Sequence, residues 1–336
     1  MYYVGLDVHA RSISVCILDE VGKVVKKMTY QGWWGGFPKW LRRRIEGRFA
    51  AVFEATCGYG WFFDQLTALG ARVSVAHPGH LRLIFHCKRK TDRIDAEKLA
   101  KLLYLDMVPP VHVPSIHTRQ WRELIEYRHR VVSRRTRAKN SLRTLLRTYA
   151  IEGPKGLWTK RGRAWLKDLA LPGLTVELRR DQFVEDLERL TGQIGRAEAV
   201  LDGIADRHPG VGLLRTIPGV GVRTAEAVVA YIDRPARFRR NQCVGAYFGL
   251  VPCEDSSAGK RRLGHITKDG PATVRKLLCE AAWQVVRRDA GMRAYFERIC
   301  RGKKDRRKIA ITATAHRLVR AMHAMLLTGE VWRGAA

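Results

Sequence analysis

Tyr2-Tyr3-Val4-Gly5-Leu6-Asp7 is a short apolar run that ends on an acid, and its reading as a strand decides the fold of the first 110 residues. Ser12 to Leu18 alternates in polarity as a second strand, and Val24 to Tyr30 gives a third. Gly5 and Gly22, each near acidic residues, supply turn signals. Three sequential strands with short connections predict an antiparallel meander. A tryptophan-rich segment (Trp33, Trp34, Trp40) leads into a helix ending near Gly47. Phe49 to Glu54 reads as a buried strand, Tyr59 to Leu69 as a helix and Arg72 to His77 as a further strand. Asp92 to Leu105 is helical, with Ile94, Leu99, Leu102 and Leu103 on its apolar side. The expected order is β-β-β-α-β-α-β-α, an α/β domain over 1–110.

Pro109, Pro110 and Pro114 break the chain, and a basic helical arm is expected over 115–206. Between Arg119 and Arg163 stand 14 Lys/Arg and three Glu, with an apolar stripe through Trp121, Leu124, Val131, Ala138, Leu142, Leu145 and Tyr149. Phe183, Leu187, Leu190, Ile194, Ala197, Leu201 and Ile204 step alternately by four and three, a heptad seam predicting a coiled-coil helix weakened by Gly192, Gly195 and Gly203. The seam has two readings: a hairpin with the basic helix before it, or a dimerisation arm. Residues 207–330 form a third, mainly α-helical region with a loop-rich patch from Arg234 to Gly270.

Lys and Arg number 62 against 32 Asp and Glu, a formal net charge of +30. Small soluble domains carry a magnitude of about 2–8, so the excess signals attraction to a polyanion. A hydrophobic content of 46% and an aromatic content of 9% exclude a disordered chain. No apolar run approaches the ~20 residues of a membrane span. The start Met1-Tyr2-Tyr3-Val4 reaches Asp7 without a secretory pattern. Seven scattered cysteines without a CxxC pair fit reduced thiols in a cytoplasm. The eleven histidines form no HxxxH or HExxH pattern, and no metal is assigned to them.

Asp7 and Glu54 end the first and fourth strands, and Asp92 and Asp95 share one face of the helix that closes the domain. Each acid alone has an ordinary role as turn residue, helix cap or ion-pair partner. Brought together they repel, and hard oxygen ligands suit Mg²⁺ or Mn²⁺ in phosphodiester chemistry. Tyr3-Val-Gly-Leu-Asp7-Val, Phe53-Glu54-Ala-Thr and Lys90-Thr-Asp92-Arg-Ile-Asp95-Ala-Glu-Lys-Leu-Ala resemble the DEDD transposase/recombinase family, which includes pilin-gene invertases and insertion-sequence recombinases guided by a bridge RNA. The resemblance implies a RuvC-like, RNase H-like N-terminal domain with Asp7, Glu54, Asp92 and Asp95 as its metal-binding quartet. Cys57 intervenes before Gly58-Tyr59, where the family has Gly directly after Ala-Thr. That departure reshapes the turn and keeps the carboxylate.

In the C-terminal half, Gly219-Val-Gly221 before a helix resembles the phosphate-contacting turn of helix-hairpin-helix modules, and a plain turn between packed helices uses the same residues. Gly-Leu-Val-Pro252 is followed by Ser256-Ser257-Ala-Gly, then Lys260, Arg261, Arg262 and Lys268. A serine becomes a nucleophile when a base takes its proton and cations stabilise the charge on phosphorus. The basic residues supply the second need, and His265 or a metal-bound hydroxide the first. By the resemblance Ser257 is the recombination nucleophile, with Ser256 as alternate because Ala258 stands where the family has Gly. Arg135-Thr-Arg-Ala-Lys-Asn140 also matches, and Arg134, Arg135, Arg137, Lys139, Asn140 and Arg143 are the expected nucleic-acid contacts of the arm. Arg301, Lys303, Lys304, Arg306, Arg307 and Lys308 form another basic cluster, and Trp33, Trp34 and Trp40 either stack on bases or pack in the core.

The resemblance implies a DNA recombinase acting on double-stranded donor and target DNA. It also implies a homo-oligomer, dimer or tetramer, whose quartet and serine come from different protomers. With no zinc finger or recognition helix apparent, sequence choice falls to a guide RNA, as in the bridge-RNA members. The alternatives are an invertase without RNA, a RuvC-like metal-dependent nuclease or junction resolvase, an architectural or RNA-binding protein, and an actin-like sugar kinase. For the kinase reading the sequence offers neither a further Asp-Gly-Gly phosphate turn nor an adenosine motif, and a charge of +30 does not suit a small metabolite.

Overall fold

The computed structural model describes residues 1–84, 91–257 and 262–334. The chain divides into two compact units, Met1–Arg119 and Gln120–Ala336.

In the first unit, β1 (Tyr2–Val8), β2 (Ser12–Leu18), β3 (Val24–Gln31), β4 (Phe49–Glu54) and β5 (Arg72–Ala76) form one sheet in the order β3-β2-β1-β4-β5. The first three strands are an antiparallel meander, and β4 and β5 add in parallel beside β1. The helices are α1 (Phe37–Arg42), α2 (Tyr59–Ala68), α3 (Pro78–Ile84) and α4 (Asp92–Tyr104). The short α3 was not expected from the sequence, and it starts at Pro78, whose ring suits the first helical position.

Strand alternation sorts the sheet into two faces. Val4, Leu6, Ile13, Val15, Ala51 and Phe53 pack with Phe37 and Leu41 of α1 and Phe62 and Leu66 of α2. On the opposite face Ala50 and Val52 meet Leu99, Leu102 and Leu103 of α4, and Cys16 and Leu18 meet Ala96 and Ala100. Gly5 does not form a turn, because it lies inside β1 on this second face. A Cβ there would overlap the Ala96 carbonyl oxygen and lie 2.5 Å from the Ala100 nitrogen. The glycine therefore lets the backbone of α4 rest directly on β1.

The second unit contains α5 (Ile116–Thr148) from Gln120 onward, α6 (Lys160–Asp168), α7 (Leu174–Ala205), α8 (Pro209–Leu214), α9 (Val222–Ile232), α10 (Asn241–Tyr247), α11 (Ala272–Arg288), α12 (Ala290–Cys300) and α13 (Arg307–Thr328). A small hairpin of β6 (Pro252–Glu254) and β7 (Leu263–Ile266) joins α10 to α11. The heptad face of α7 meets α5 of the same chain: Val131 clusters with Leu190 and Ile194, and Ala138 and Leu142 with Val184 and Leu187. The order runs antiparallel, so the hairpin reading of the seam holds within the chain. At the seam ends Val184 and Ala205 are buried, and Phe183 and Ile204 pack, partly buried, against the same clusters. Trp121, Ile125, Leu201 and Ala205 join the core formed by α8 to α13. The arm and the C-terminal helices, separate in the sequence reading, thus share one core.

Replacing Gly5 with Ala forces α4 away from β1. The N-terminal unit should lose about 1–3 kcal/mol, the usual cost of overpacking, measured as a fall in the denaturant midpoint. An unchanged midpoint would show that α4 does not rest on Gly5.

Candidate functional site

β1 and β4 are parallel with Leu6 opposite Phe53, so the next rung sets Asp7 beside Glu54. Asp7 shares its side of β1 with Gly5, and Glu54 shares its side of β4 with Val52. Both acids therefore stand at strand ends on the face that α4 covers. Thr91 caps α4, its hydroxyl accepting from the Ile94 N–H at 3.4 Å, and Asp92 and Asp95 occupy the first turn. Carboxylates are favoured there by the positive end of the helix dipole. Cys57 lies in the exposed turn between β4 and α2, and Glu54 remains the last residue of the strand.

The structure brings Asp7 and Asp92 together around a residue the sequence reading passed over. Nε2 of His9 lies 3.2 Å from Asp7 Oδ2 and 3.5 Å from Asp92 Oδ2. The ligand atoms of Asp7, His9 and Asp92 all lie within 4.8 Å of one another, a set that fits a metal ion. Asp95 sits one turn along, its Oδ1 accepting from Lys98 Nζ at 3.2 Å, and Glu54 is half-buried at the end of β4. Burial holds the Asp7 carboxyl above the usual carboxylate range. The neighbouring His9 opposes that rise, and the charges of Asp92 and Asp95 add to it. A cation at this point would relieve the repulsion. The signal for His9 was its spacing: residues i and i+2 project to the same side of a strand.

The serine loop connects β6 to β7. Ser256 Oγ donates to Glu254 Oε1 at 2.8 Å and accepts from the Arg262 N–H at 3.2 Å. A proton acceptor thus adjoins Ser256, where the sequence reading had named His265. Ser257 is exposed. Ala258, Gly259, Lys260 and Arg261 lie outside the described residues, so the expected contacts Lys260 and Arg261 have no structural account. Lys268 holds a left-handed turn, with φ +57°, and its N–H donates to the Gly249 carbonyl at 3.3 Å.

Gly219 also has positive φ, +98°. A Cβ there would lie 2.8 Å from the Gln284 carbonyl carbon and 2.9 Å from the Val285 nitrogen. Its smallness thus serves the packing of the turn against α11. Gly221 has open space beside it at the start of α9. Arg223, the nearest cation in α9, is committed to Asp202 and to Glu226, the latter at 3.0 Å.

The basic residues of α5 fall into two groups. Arg122 donates to the Ala230 and Tyr231 carbonyls, and Arg128 Nη2 pairs with Glu198 at 2.6 Å. These cations are used in packing. Farther along, Arg134, Arg137, Asn140 and Arg143 are exposed, with Arg135 and Lys139 half-buried. Lys139 and Arg143 flank the Trp158 ring at 5.1 and 5.2 Å. Arg137 and Asn140 also line a groove of about 490 Å³ with Tyr149, Arg179 and Phe183. The tryptophans divide as well. Trp34 and Trp40 pack against Phe62 and Phe37, whereas Trp33 is 72% exposed and stacks on Trp34.

Comparison with known proteins covers both units. Residues 4–151 match the DEDD transposase family of the IS110 kind, described as "Transposase", and residues 211–297 match the "Transposase IS116/IS110/IS902 family". The transposase for insertion sequence element IS1111A of Coxiella burnetii is 25% identical over 84% of this chain and 77% of its own length. The transposase for insertion sequence element IS1328 of Yersinia enterocolitica is 28% identical over 72% of this chain and 75% of its own. Among the described residues no helix is long and apolar enough to cross a membrane.

Burial pushes the Glu226 carboxyl up to about 7 from an ordinary 4.5, against the lowering pull of Arg223. Between those values the native state binds more protons than the unfolded chain. The contribution of Glu226 to stability is therefore fully present below pH 4.5 and is lost as pH rises through 7. Glu226→Gln should abolish that fall, on the order of 3 kcal/mol, in denaturant titrations across this range. A slope that survives the substitution assigns it to another group.

Proposed function

The chain belongs to the IS110/IS116 group of DEDD transposases, and on that premise we propose that it cleaves and rejoins DNA strands of a mobile element through a divalent-metal carboxylate centre and a serine nucleophile. The observation that carries this reading is the meeting of Asp7 with Asp92 on the face where Glu54 also ends. The strand order β3-β2-β1-β4-β5, with its antiparallel meander and two parallel strands, supports an RNase H-like, RuvC-like N-terminal unit. The antiparallel packing of α5 on α7 supports a coiled-coil arm.

Asp7, Glu54, Asp92 and Asp95 hold a divalent ion, Mg²⁺ or Mn²⁺, which supplies Lewis-acid stabilisation of charge on the scissile phosphate. Burial of Asp7 among like charges makes the site costly without a cation. Ser257 Oγ attacks phosphorus. The Oγ–P bond forms, the bond from phosphorus to the departing strand oxygen breaks, and the serine proton ends on that oxygen as a hydroxyl. Rejoining reverses the exchange. Ser256, held by Glu254 and the Arg262 amide, is the alternate nucleophile. Arg134, Arg135, Arg137, Lys139, Asn140 and Arg143 grip the nucleic-acid backbone from one stretch of α5. Lys260, Arg261, Arg262 and Lys268 attend the serine loop, and Gly221 offers a backbone N–H at a helix start.

The substrates are double-stranded donor and target DNA, with sequence choice delegated to a non-coding guide RNA. The active form is a homo-oligomer, dimer or tetramer, in which the acids and the serine of one reaction centre come from different protomers. An RNA-independent invertase is distinguished by target choice that does not change when RNA is removed.

Asp7→Asn or Asp92→Asn should lower strand cleavage at least about 10²-fold, the scale of losing preorganised charge stabilisation. A denaturation-resistant protein–DNA adduct should form with wild type and vanish with Ser257→Ala. Its loss with Ser256→Ala alone would move the nucleophile by one residue. Full activity of both serine variants would leave water as nucleophile and make the protein a metal-dependent nuclease. Changing Arg134, Arg137 and Arg143 together to Ala should flatten the log–log salt dependence of duplex binding by about 0.9 for each phosphate no longer neutralised. An unchanged slope would place the DNA elsewhere.

A further inference from the structure

His9 stands one residue past the end of β1, and its main chain is pinned on both sides. Its N–H donates to the Ser12 carbonyl at 2.9 Å across the β1–β2 turn. Its carbonyl accepts from the Trp34 indole N–H at 2.8 Å. Trp34 is itself wedged edge-on against Phe62 and stacked with Trp33. The backbone is thus fixed by a hairpin bond and an aromatic brace, and the imidazole turns toward the acids.

Nε2 lies 3.2 and 3.5 Å from one oxygen each of Asp7 and Asp92. Ligand atoms bound about 2.0–2.2 Å from one ion stand roughly 3.0–3.5 Å apart at octahedral to tetrahedral angles. The observed separations, the shorter of which is also a hydrogen bond between the imidazole and Asp7, fall in that range. They come from two elements far apart in sequence, the β1 end and the first turn of α4. The imidazole is half-exposed, so its nitrogen is within reach of an incoming ion.

We propose that His9 is a ligand of the metal centre, giving one ion a nitrogen beside the carboxylate oxygens of Asp7 and Asp92. This rests on the metal-centre reading above and goes beyond it in ligand type and metal preference. Carboxylate oxygens suit Mg²⁺ and Mn²⁺ alike, whereas a first-row transition-metal ion accepts an imidazole nitrogen more readily than Mg²⁺ does. Of the two ions proposed above, His9 therefore biases this centre toward Mn²⁺ over Mg²⁺. The sequence carries the set in two pieces, Asp7-Val-His9 on a strand end and Asp92 at a helix start.

The test is Mn²⁺ binding by the full-length protein, followed by electron paramagnetic resonance for affinity and by spin-echo modulation for ¹⁴N coupling. Wild type should show imidazole nitrogen coupled to bound Mn²⁺. His9→Ala should lose that coupling and bind Mn²⁺ about 10–100-fold more weakly, at the scale seen for perturbed metal shells, with Mg²⁺ affinity much less changed. His9→Asp restores a ligand without nitrogen. It should bind both ions, without ¹⁴N modulation and with the Mn²⁺ preference reduced. Asp7→Asn separates the two readings. If Asp7→Asn loses Mn²⁺ while His9→Ala binds it as wild type does, His9 is not a ligand and the carboxylate centre stands. If Asp7→Asn binds Mn²⁺ unchanged, the centre is elsewhere and the inference falls with it. Nitrogen coupling that persists in His9→Ala also overturns the assignment.

Discussion

The contact on which the candidate site depends is the direct seating of α4 on β1 through Gly5. A strand and a helix normally meet through side chains, which hold them apart. Here the missing Cβ lets the helix backbone at Ala96 and Ala100 reach the strand, with Cys16 and Leu18 of β2 closing the same layer. The consequence lies two residues along β1 and one turn back along α4. Asp7, on the same side of the strand as Gly5, is brought to the end of the helix where Asp92 and Asp95 begin it. The parallel pairing of β1 with β4 carries Glu54 to the same face. Like charges converge because packing elsewhere holds them there, a familiar arrangement at sites that await a counter-charge.

Much of this was legible in the sequence. β2 and β4 were expected at their observed bounds, and the other strands within a residue or two, because the apolar runs of β2 and β4 are buried almost throughout. The four acids could be assigned to element ends before any geometry was known. Gly5 was misread as a turn signal, since a glycine inside a strand looks the same whether it bends the chain or admits a neighbour. Only the helix above it tells the two apart. His9 was passed over for a related reason. Histidines paired in sequence announce a metal site, whereas the partner of His9 across the site is Asp92, which lies on a different element. The α7 heptads announced a partner helix without saying whose, and the clusters at Val131, Ala138 and Leu142 identify it as α5. Gly219 kept two meanings until its proximity to the Gln284 and Val285 backbone favoured packing.

The same sorting applies to the charge. Of the cations along α5, Arg122 and Arg128 serve carbonyls and a glutamate within the helical unit, so they stabilise the fold. The residues from Arg134 to Arg143 instead crowd one another. Burial and the neighbouring Arg135, Arg143 and Arg163 push the Lys139 ammonium below its ordinary range. Cations held this close without acids among them are disfavoured alone and become favourable beside phosphates. Apart from Lys139 and Arg143 against the Trp158 ring, this stretch of charge is left to solvent or to a ligand.

That concentration bears on the metal as well. A divalent cation approaching a chain of net charge +30 meets a repulsive field, screened over about 8–10 Å at physiological salt. The acids at the ends of β1, β4 and α4 must attract it locally against that background. Bound nucleic acid neutralises much of the background and removes part of the opposition. Coupling of this kind is reciprocal: whatever factor the polyanion adds to metal affinity, the metal returns to polyanion affinity. On the proposed function, binding of the polyanion and filling of the carboxylate centre would therefore favour each other.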